Sequence, residues 1–241
     1  MVTRFVVVVA VLACAQTAHA GRTFYGWLYG TEVMPERGAE IQTWVFEENG
    51  RGPLKETGIW WSPLIGVTDQ LELALPVEFS WTRPDGGEGD FTFTNWGIEA
   101  RYRLVSQDPE DAPPLAPLIR VAVKRDVGVR DAIQPEIDAV VSYEVGRVHL
   151  LVDLGMVGQF TREDYRLEFR PGGGISVQVV GDLRLGAEAY AEIDLDDSDR
   201  SWAIVAPNIA WSHGRTWISA AMGIGIYQID NAPRVMWGIA F

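Results

Sequence analysis

The stretch Asp69–Thr82, DQLELALPVEFSWT, constrains the fold more than any other. Leu71, Leu73, Leu75, Val77, Phe79 and Trp81 fill every second position, with Gln70, Glu72, Ala74, Pro76, Glu78, Ser80 and Thr82 between them. Side chains alternate across an extended strand, so one face is apolar and the other polar. Ordinary sheet strands run to about five or six residues, and this one is far longer. The pattern recurs. From Thr92, the row Thr94, Trp96, Ile98, Ala100, Tyr102 and Leu104 opposes Asn95, Gly97, Glu99, Arg101 and Arg103. From Arg147, Val148, Leu150, Val152, Leu154, Met156 and Phe160 oppose His149, Asp153 and Gln159. From Asp182, Leu183, Leu185, Ala187, Ala189, Ala191 and Ile193 oppose Arg184, Glu188, Glu192 and Asp194. The alternation predicts twelve strands, near 40–48, 57–65, 70–81, 91–104, 117–125, 133–145, 147–160, 165–180, 182–195, 201–211, 216–228 and 234–241. No window carries a comparable helical period.

The chain opens MVTRFVVVVAVLACAQTAHA: a basic start at Arg4, an apolar run, and a small-residue site Ala18-His19-Ala20. Residues 1–20 therefore read as a cleaved signal peptide, too short in its apolar run to span a bilayer of ~30 Å hydrocarbon as a helix. A lipoprotein signal acylated at Cys14 is the rival reading, and Leu12 two places before that cysteine fits it poorly. Cys14 is the only cysteine, so a mature chain starting at Gly21 has no disulfide framework and no cysteine chemistry. The formal net charge is −13, and loss of Arg4 makes the mature chain one unit more negative. An acidic chain is a poor partner for nucleic acid.

Connections alternate in length. Tight turns are expected at GVTDQ (66–70), EVGRV (144–148), VVGDL (179–183) and SHGRT (212–216), with longer polar links between them. That is the grammar of an outer-membrane barrel, which has short periplasmic turns and longer outside loops. One link departs from it: VSQDPEDAPPLAP (105–117) is long and Pro-rich, yet falls where parity expects a periplasmic turn. Counting back from a periplasmic C-terminus gives twelve strands in residues 39–241. Residues 21–38 are left over, as an N-terminal extension, a lumen segment or an extra strand.

A secreted soluble β-sandwich or barrel also has alternating strands. Against it stand the strand lengths and the placement of aromatics near strand ends, among them Trp61, Trp81, Trp96, Tyr102, Trp211 and Phe241. Amphipathic rings favour the membrane interface. The chain ends RVMWGIAF, and a terminal Phe closing an alternating strand looks like the assembly signal of bacterial outer-membrane proteins. The expected fold is an all-β, antiparallel, up-and-down transmembrane barrel in the outer membrane of a Gram-negative bacterium. Its expected partners are the lipid bilayer and, through the last strand, the barrel assembly machinery.

With lipid outside, the polar rows face a lumen. Arg101, Arg103, Arg120 and Lys124 lie on neighbouring strands and are expected to face Glu136 and Asp138, with Glu99, Arg166 and Glu188 also inward. Opposed charges across a narrow pore order and filter solutes; the plainer reading is that lumen charges pair and hydrate. Barrel enzymes need a His beside a Ser or carboxylates. The mature chain offers His149 and His213, both near tight turns, so neither catalysis nor a transition-metal site nor any cofactor is expected. PGGG (171–174) lacks the GK[ST] of a phosphate loop and reads instead as glycines that bend a strand or relieve crowding in the barrel.

MPERGAEIQTWVFEEN (34–49), GVTDQLELALPVEF (66–79) and GEGDFTFTNWGIEARYRL (87–104) together resemble the outer-membrane barrel family associated with the meta-pathway of phenol degradation. The resemblance covers roughly the first half of the mature chain and implies a barrel that passes small, hydrophobic or aromatic compounds. It carries over no catalytic residues. The expected function is a passive channel or facilitator for small solutes; the alternative is an occluded barrel with a structural or surface-interaction role.

Overall fold

The computed structural model describes residues 23–50, 54–84, 89–129 and 131–241; the expected signal peptide lies outside the described residues. Thirteen strand segments follow in order: β1 Ala39–Glu47, β2 Leu54–Gly66, β3 Leu71–Ala74, β4 Val77–Pro84, β5 Asp90–Arg103, β6 Leu115–Asp126, β7 Ile133–Val145, β8 Val148–Phe160, β9 Tyr165–Val180, β10 Leu183–Asp194, β11 Trp202–His213, β12 Thr216–Tyr227 and β13 Asn231–Ala240. β3 and β4 are two halves of one strand, since both pair with β2 and with β5. The break falls at Leu75-Pro76. Proline has no N–H for the ladder, but its carbonyl accepts from Gly97 N at 2.9 Å while Leu75 N donates to Pro63 O at 3.0 Å, so the two halves stay in line. The wall therefore has twelve antiparallel strands. β1 pairs with both β2 and β13, closing the sheet from Glu40↔Ala240 to Phe46↔Arg234. A closed sheet has no free edge, as hydrocarbon demands.

β1 begins and β13 ends at one rim, here the terminal rim. Two-residue turns join β7 to β8, β9 to β10 and β11 to β12 there. Each has glycine first with positive φ: Gly146 at 58°, Gly181 at 51° and Gly214 at 57°. Arg147, Asp182 and Arg215 follow without positive φ, which is the arrangement of a type II′ hairpin turn. Arg147 and Asp182 are thus exposed turn residues rather than lumen residues, because the turn breaks the alternation before it reaches them. The long 105–117 link also closes over this rim. Its Gln107 bonds Val33 through both N–H and C=O, which gives the extra length a structural use. The longer connections lie at the opposite, loop rim.

Burial runs inside out. On β6, Ile119, Val121 and Val123 are exposed while Leu118, Arg120, Ala122 and Lys124 are buried. Arg120 is 1% exposed and Ile98 57%. Leaving rows of Ile, Val and Leu in water would cost about 25 cal/mol per Å², so the outer face is matched to lipid. Trp61, Trp81, Trp96, Tyr102, Trp211 and Phe241 all point outward. Leu154 sits at the middle of β8 on that face. Leu154→Arg is expected to cost about 2–4 kcal/mol at the bilayer midplane, read as a lower urea midpoint in lipid vesicles.

Candidate functional site: the lumen and the segment inside it

Residues 23–34 run inside the barrel, with Tyr25, Leu28, Val33 and Met34 buried almost completely, and the chain leaves at the terminal rim, where Glu36 and Arg37 are exposed. The segment pairs with no strand, so its backbone must be satisfied by side chains of the wall. Carboxylates take its N–H groups. Glu188 accepts from Gly26 N at 2.7 Å and from Trp27 N at 2.8 Å, Asp153 from Tyr29 N at 3.1 Å, and Glu72 from Met34 N at 2.7 Å. Arginines take its carbonyls: Arg101 Nη2 donates to Gly30 O at 2.7 Å and Arg103 Nη1 to Thr31 O at 3.1 Å. Ser219 donates to Tyr25 O, the Tyr25 hydroxyl to His149 O, and Trp27 Nε1 to Ala232 O. The Thr31 and Ser142 hydroxyl oxygens lie 2.6 Å apart. These partners sit on β3, β5, β7, β8, β10, β12 and β13, most of the way around the wall. Burial pushes the Tyr25 and Tyr29 phenols above their ordinary range, so both stay protonated.

The wall has been cut to receive this segment. A Cβ on Gly174 would stand 2.4 Å from Tyr25 Cε1, and one on Gly172 2.3 Å from Leu28 Cδ2. Gly172 and Gly174 of PGGG relieve crowding, and what crowds them is the segment; a Cβ on Gly173 would meet only Leu151 O at 3.3 Å. Gly174→Val is expected to displace it while the sheet stays closed. Tyr25 and Trp27 should then become cleavable by chymotrypsin, with the heat-modifiable mobility of the barrel retained.

Arg120 is the centre of the ionic wall. Register places it beside Arg101 of β5 and Asp138 of β7. Its Nη1 donates to Asp138 at 2.6 Å; its Nη2 donates to Glu99 at 2.7 Å and to Glu136 at 2.8 Å. The guanidinium also lies 4.2 Å from the Tyr29 ring centroid. Lys124 joins Glu78 at 2.6 Å and Glu136 at 2.9 Å. Arg166 pairs with Glu168 and Asp194 further round, and Arg170 with Glu168 and Glu192.

The expected constriction is corrected in two respects. Arg101 and Arg103 do not face Glu136 and Asp138; they hold Glu72 and the inner segment. Nor do opposite charges confront each other across a pore. Most pair along their own strand or sideways with an adjacent one, while Lys124 reaches past β5 to Glu78 of β4 and Arg184 of β10 reaches Glu144 of β7. Glu188 is an anchor for the inner segment. Sequence reasoning did not single out Trp44, Trp60 or Arg234, which line the lumen. Trp44 shares the inward parity of β1 with Glu40 and Gln42, and Trp60 that of β2 with Ser62, whereas Arg234 is a lone charge in an inward row of Ala232, Met236, Gly238 and Ala240. Arg234 is held by rings, 4.2 Å from the Trp44 centroid, 4.8 Å from Trp27 and 5.4 Å from Phe46.

Among the cavities lined by described residues, two flank the inner segment. One of about 410 Å³ opens toward the loop rim and is lined by Tyr29, Trp44, Trp60, Arg120, Lys124 and Arg234 among others. The other, about 310 Å³, opens toward the terminal rim and is lined by Thr31, Arg103, Pro113, Pro114, Ser142 and His149 among others. No lining residue is common to both, and Tyr29, Gly30 and Thr31 form the septum.

No family model and no curated protein matches the chain, so the phenol-pathway resemblance rests on its three motifs alone. Solved structures do match. The COG4313 outer membrane channel from Pseudomonas putida F1 superposes with a TM-score of 0.66 at 10% identity, over 88% of this chain and 98% of that one. The KdgM porin gives 0.57 at 9%, over 84% and 99%. The translocator domain of the autotransporter NalP from Neisseria meningitidis gives 0.53 at 13%, over 85% and 88%. At such identities the likeness concerns the fold. The chain is a closed twelve-stranded antiparallel barrel of the outer-membrane type.

Proposed function

We propose that this protein is an outer-membrane channel for small solutes, held closed by its own N-terminal segment. The loop rim faces outside and the terminal rim the periplasm. One observation carries the reading. The barrel interior holds a cavity on each side of the segment 23–34, with no lining residue common to the two. Those residues belong to no strand, so they can leave without opening the wall. Porin and channel are the words attached to two of the matching barrels, which supports passage as the role. The charges serve the closed state, since Glu188, Asp153, Glu72, Arg101 and Arg103 replace for the segment the hydrogen bonds that water would give it.

The density of those bonds also favours a second reading, an occluded barrel that serves as a structural or surface element. Planar-bilayer recordings separate the two. The channel reading expects discrete conductance steps from the mature chain, larger when residues 21–38 are absent. A barrel that folds and stays silent in both forms is the structural one.

A further inference from the structure

We infer that the cavity on the loop side is a binding site for a small organic cation of the guanidinium or alkylammonium class. The site lies on the passage proposed above and rests on that reading for its supply of solute. Eight carboxylates and four cationic side chains line the cavity. Arg120, Lys124 and Arg170 are already engaged by acids. Arg234 shows what the aromatic lining accepts, for its guanidinium is packed against three rings with no ion pair among the described residues. Aromatic faces attract cations within about 6 Å of the centroid.

Three carboxylates of this cavity, Glu56, Asp126 and Asp153, form no ion pair within 4 Å among the described residues. Glu56 accepts from the Ser80 hydroxyl, and Asp126 accepts the amides of Gly128 and Val129 in its own loop. Asp153 is 4% exposed, with Oδ2 on Tyr29 N and Oδ1 without any hydrogen-bond partner. A buried carboxylate oxygen with no donor is costly, and a bound cation that donates N–H removes the cost. In the loops above, Asp196, Asp199 and Asp230 stand beside the Asp197–Arg200 pair and raise the local concentration of positive solutes. The volume falls in the usual range of small-ligand pockets, about 300–1,000 Å³.

Calorimetric titration of the folded mature chain in detergent tests this, with ethylguanidinium chloride against sodium benzoate at equal ionic strength. Saturable binding of ethylguanidinium and none of benzoate is expected. Asp153→Asn should weaken it on the order of tenfold, the equivalent of about 1.4 kcal/mol. Because Asp153 also holds Tyr29, the pair Glu56→Gln with Asp126→Asn is a second variant that leaves the inner segment's anchors in place, and it too should weaken binding. No saturable binding of ethylguanidinium, or tighter binding of benzoate, overturns the assignment. A barrel that conducts but binds no cation loses the site and keeps the channel; a silent barrel that binds the cation does the reverse.

Discussion

Deleting residues 21–38 is expected to turn a chain with small, intermittent conductance into one with large and steady conductance. The wall should survive the change. Its ladders run continuously around twelve strands, and the deleted residues touch them only at the end of β2, through Arg37 N to Gly66 O and Gly66 N to Gly38 O. What is lost is the septum of Tyr29, Gly30 and Thr31, after which the two cavities join into one lumen. The deletion strands Glu188, Asp153, Glu72, Arg101 and Arg103, but strands them facing a lumen that water can now fill. Hydration then takes over their hydrogen bonds, which limits the stability cost. Should the deletion fail to fold, Arg101→Ala with Arg103→Ala removes two carbonyl anchors and should raise the open probability without removing any chain. Unchanged conductance in both forms would place the passage elsewhere.

The largest stability effect is expected from Arg120→Leu. The guanidinium is almost wholly buried and satisfies three carboxylates at once, those of Glu99, Glu136 and Asp138. Removing it leaves like charges crowded on adjacent strands. Breaking a buried ion pair from one side costs about 3–5 kcal/mol, and here Glu99 and Asp138 are orphaned together while Glu136 keeps Lys124. The unfolding free energy from urea titration in lipid vesicles should fall by an amount in or above that range. Arg120→Lys should rescue only part of the loss, since an ammonium lacks the planar fork that reaches three acids from two nitrogens. Adding Glu136→Gln and Asp138→Asn to Arg120→Leu should recover more, as the repulsion goes with the charges. A midpoint that hardly moves for Arg120→Leu would mean that water already screens the cluster.

The wall was legible because its physics is local. In β8 the row Leu150, Val152, Leu154 and Met156 announces both strand and face, and lipid on one side with polar lumen on the other keeps the period clean to Phe160. A lipid-facing sheet must then close on itself to satisfy its own hydrogen bonds. Residues 21–38 resisted the same treatment for a physical reason. Their partners are single side chains spread over seven strands, and such contacts impose no period on the segment. The ion pairs were half legible. Alternation places Arg120 inward, but cross-strand register decides that it takes Glu99, Glu136 and Asp138 while Arg101 and Arg103 turn to a backbone. The glycines of PGGG show the same limit. Their need for space is visible in sequence, whereas Tyr25 and Leu28 as its cause are not.

The most direct test of the account is a reversible lock across the septum. Thr31 and Ser142 hydroxyls stand 2.6 Å apart, close enough for Thr31→Cys and Ser142→Cys to form a disulfide with little movement. The only natural cysteine, Cys14, lies in the expected signal peptide and would not compete. Single-channel recording of the double variant should show openings under reducing conditions, none after oxidation, and their return on reduction. Equal conductance in the oxidised and reduced states would contradict the claim that residues 23–34 are the gate.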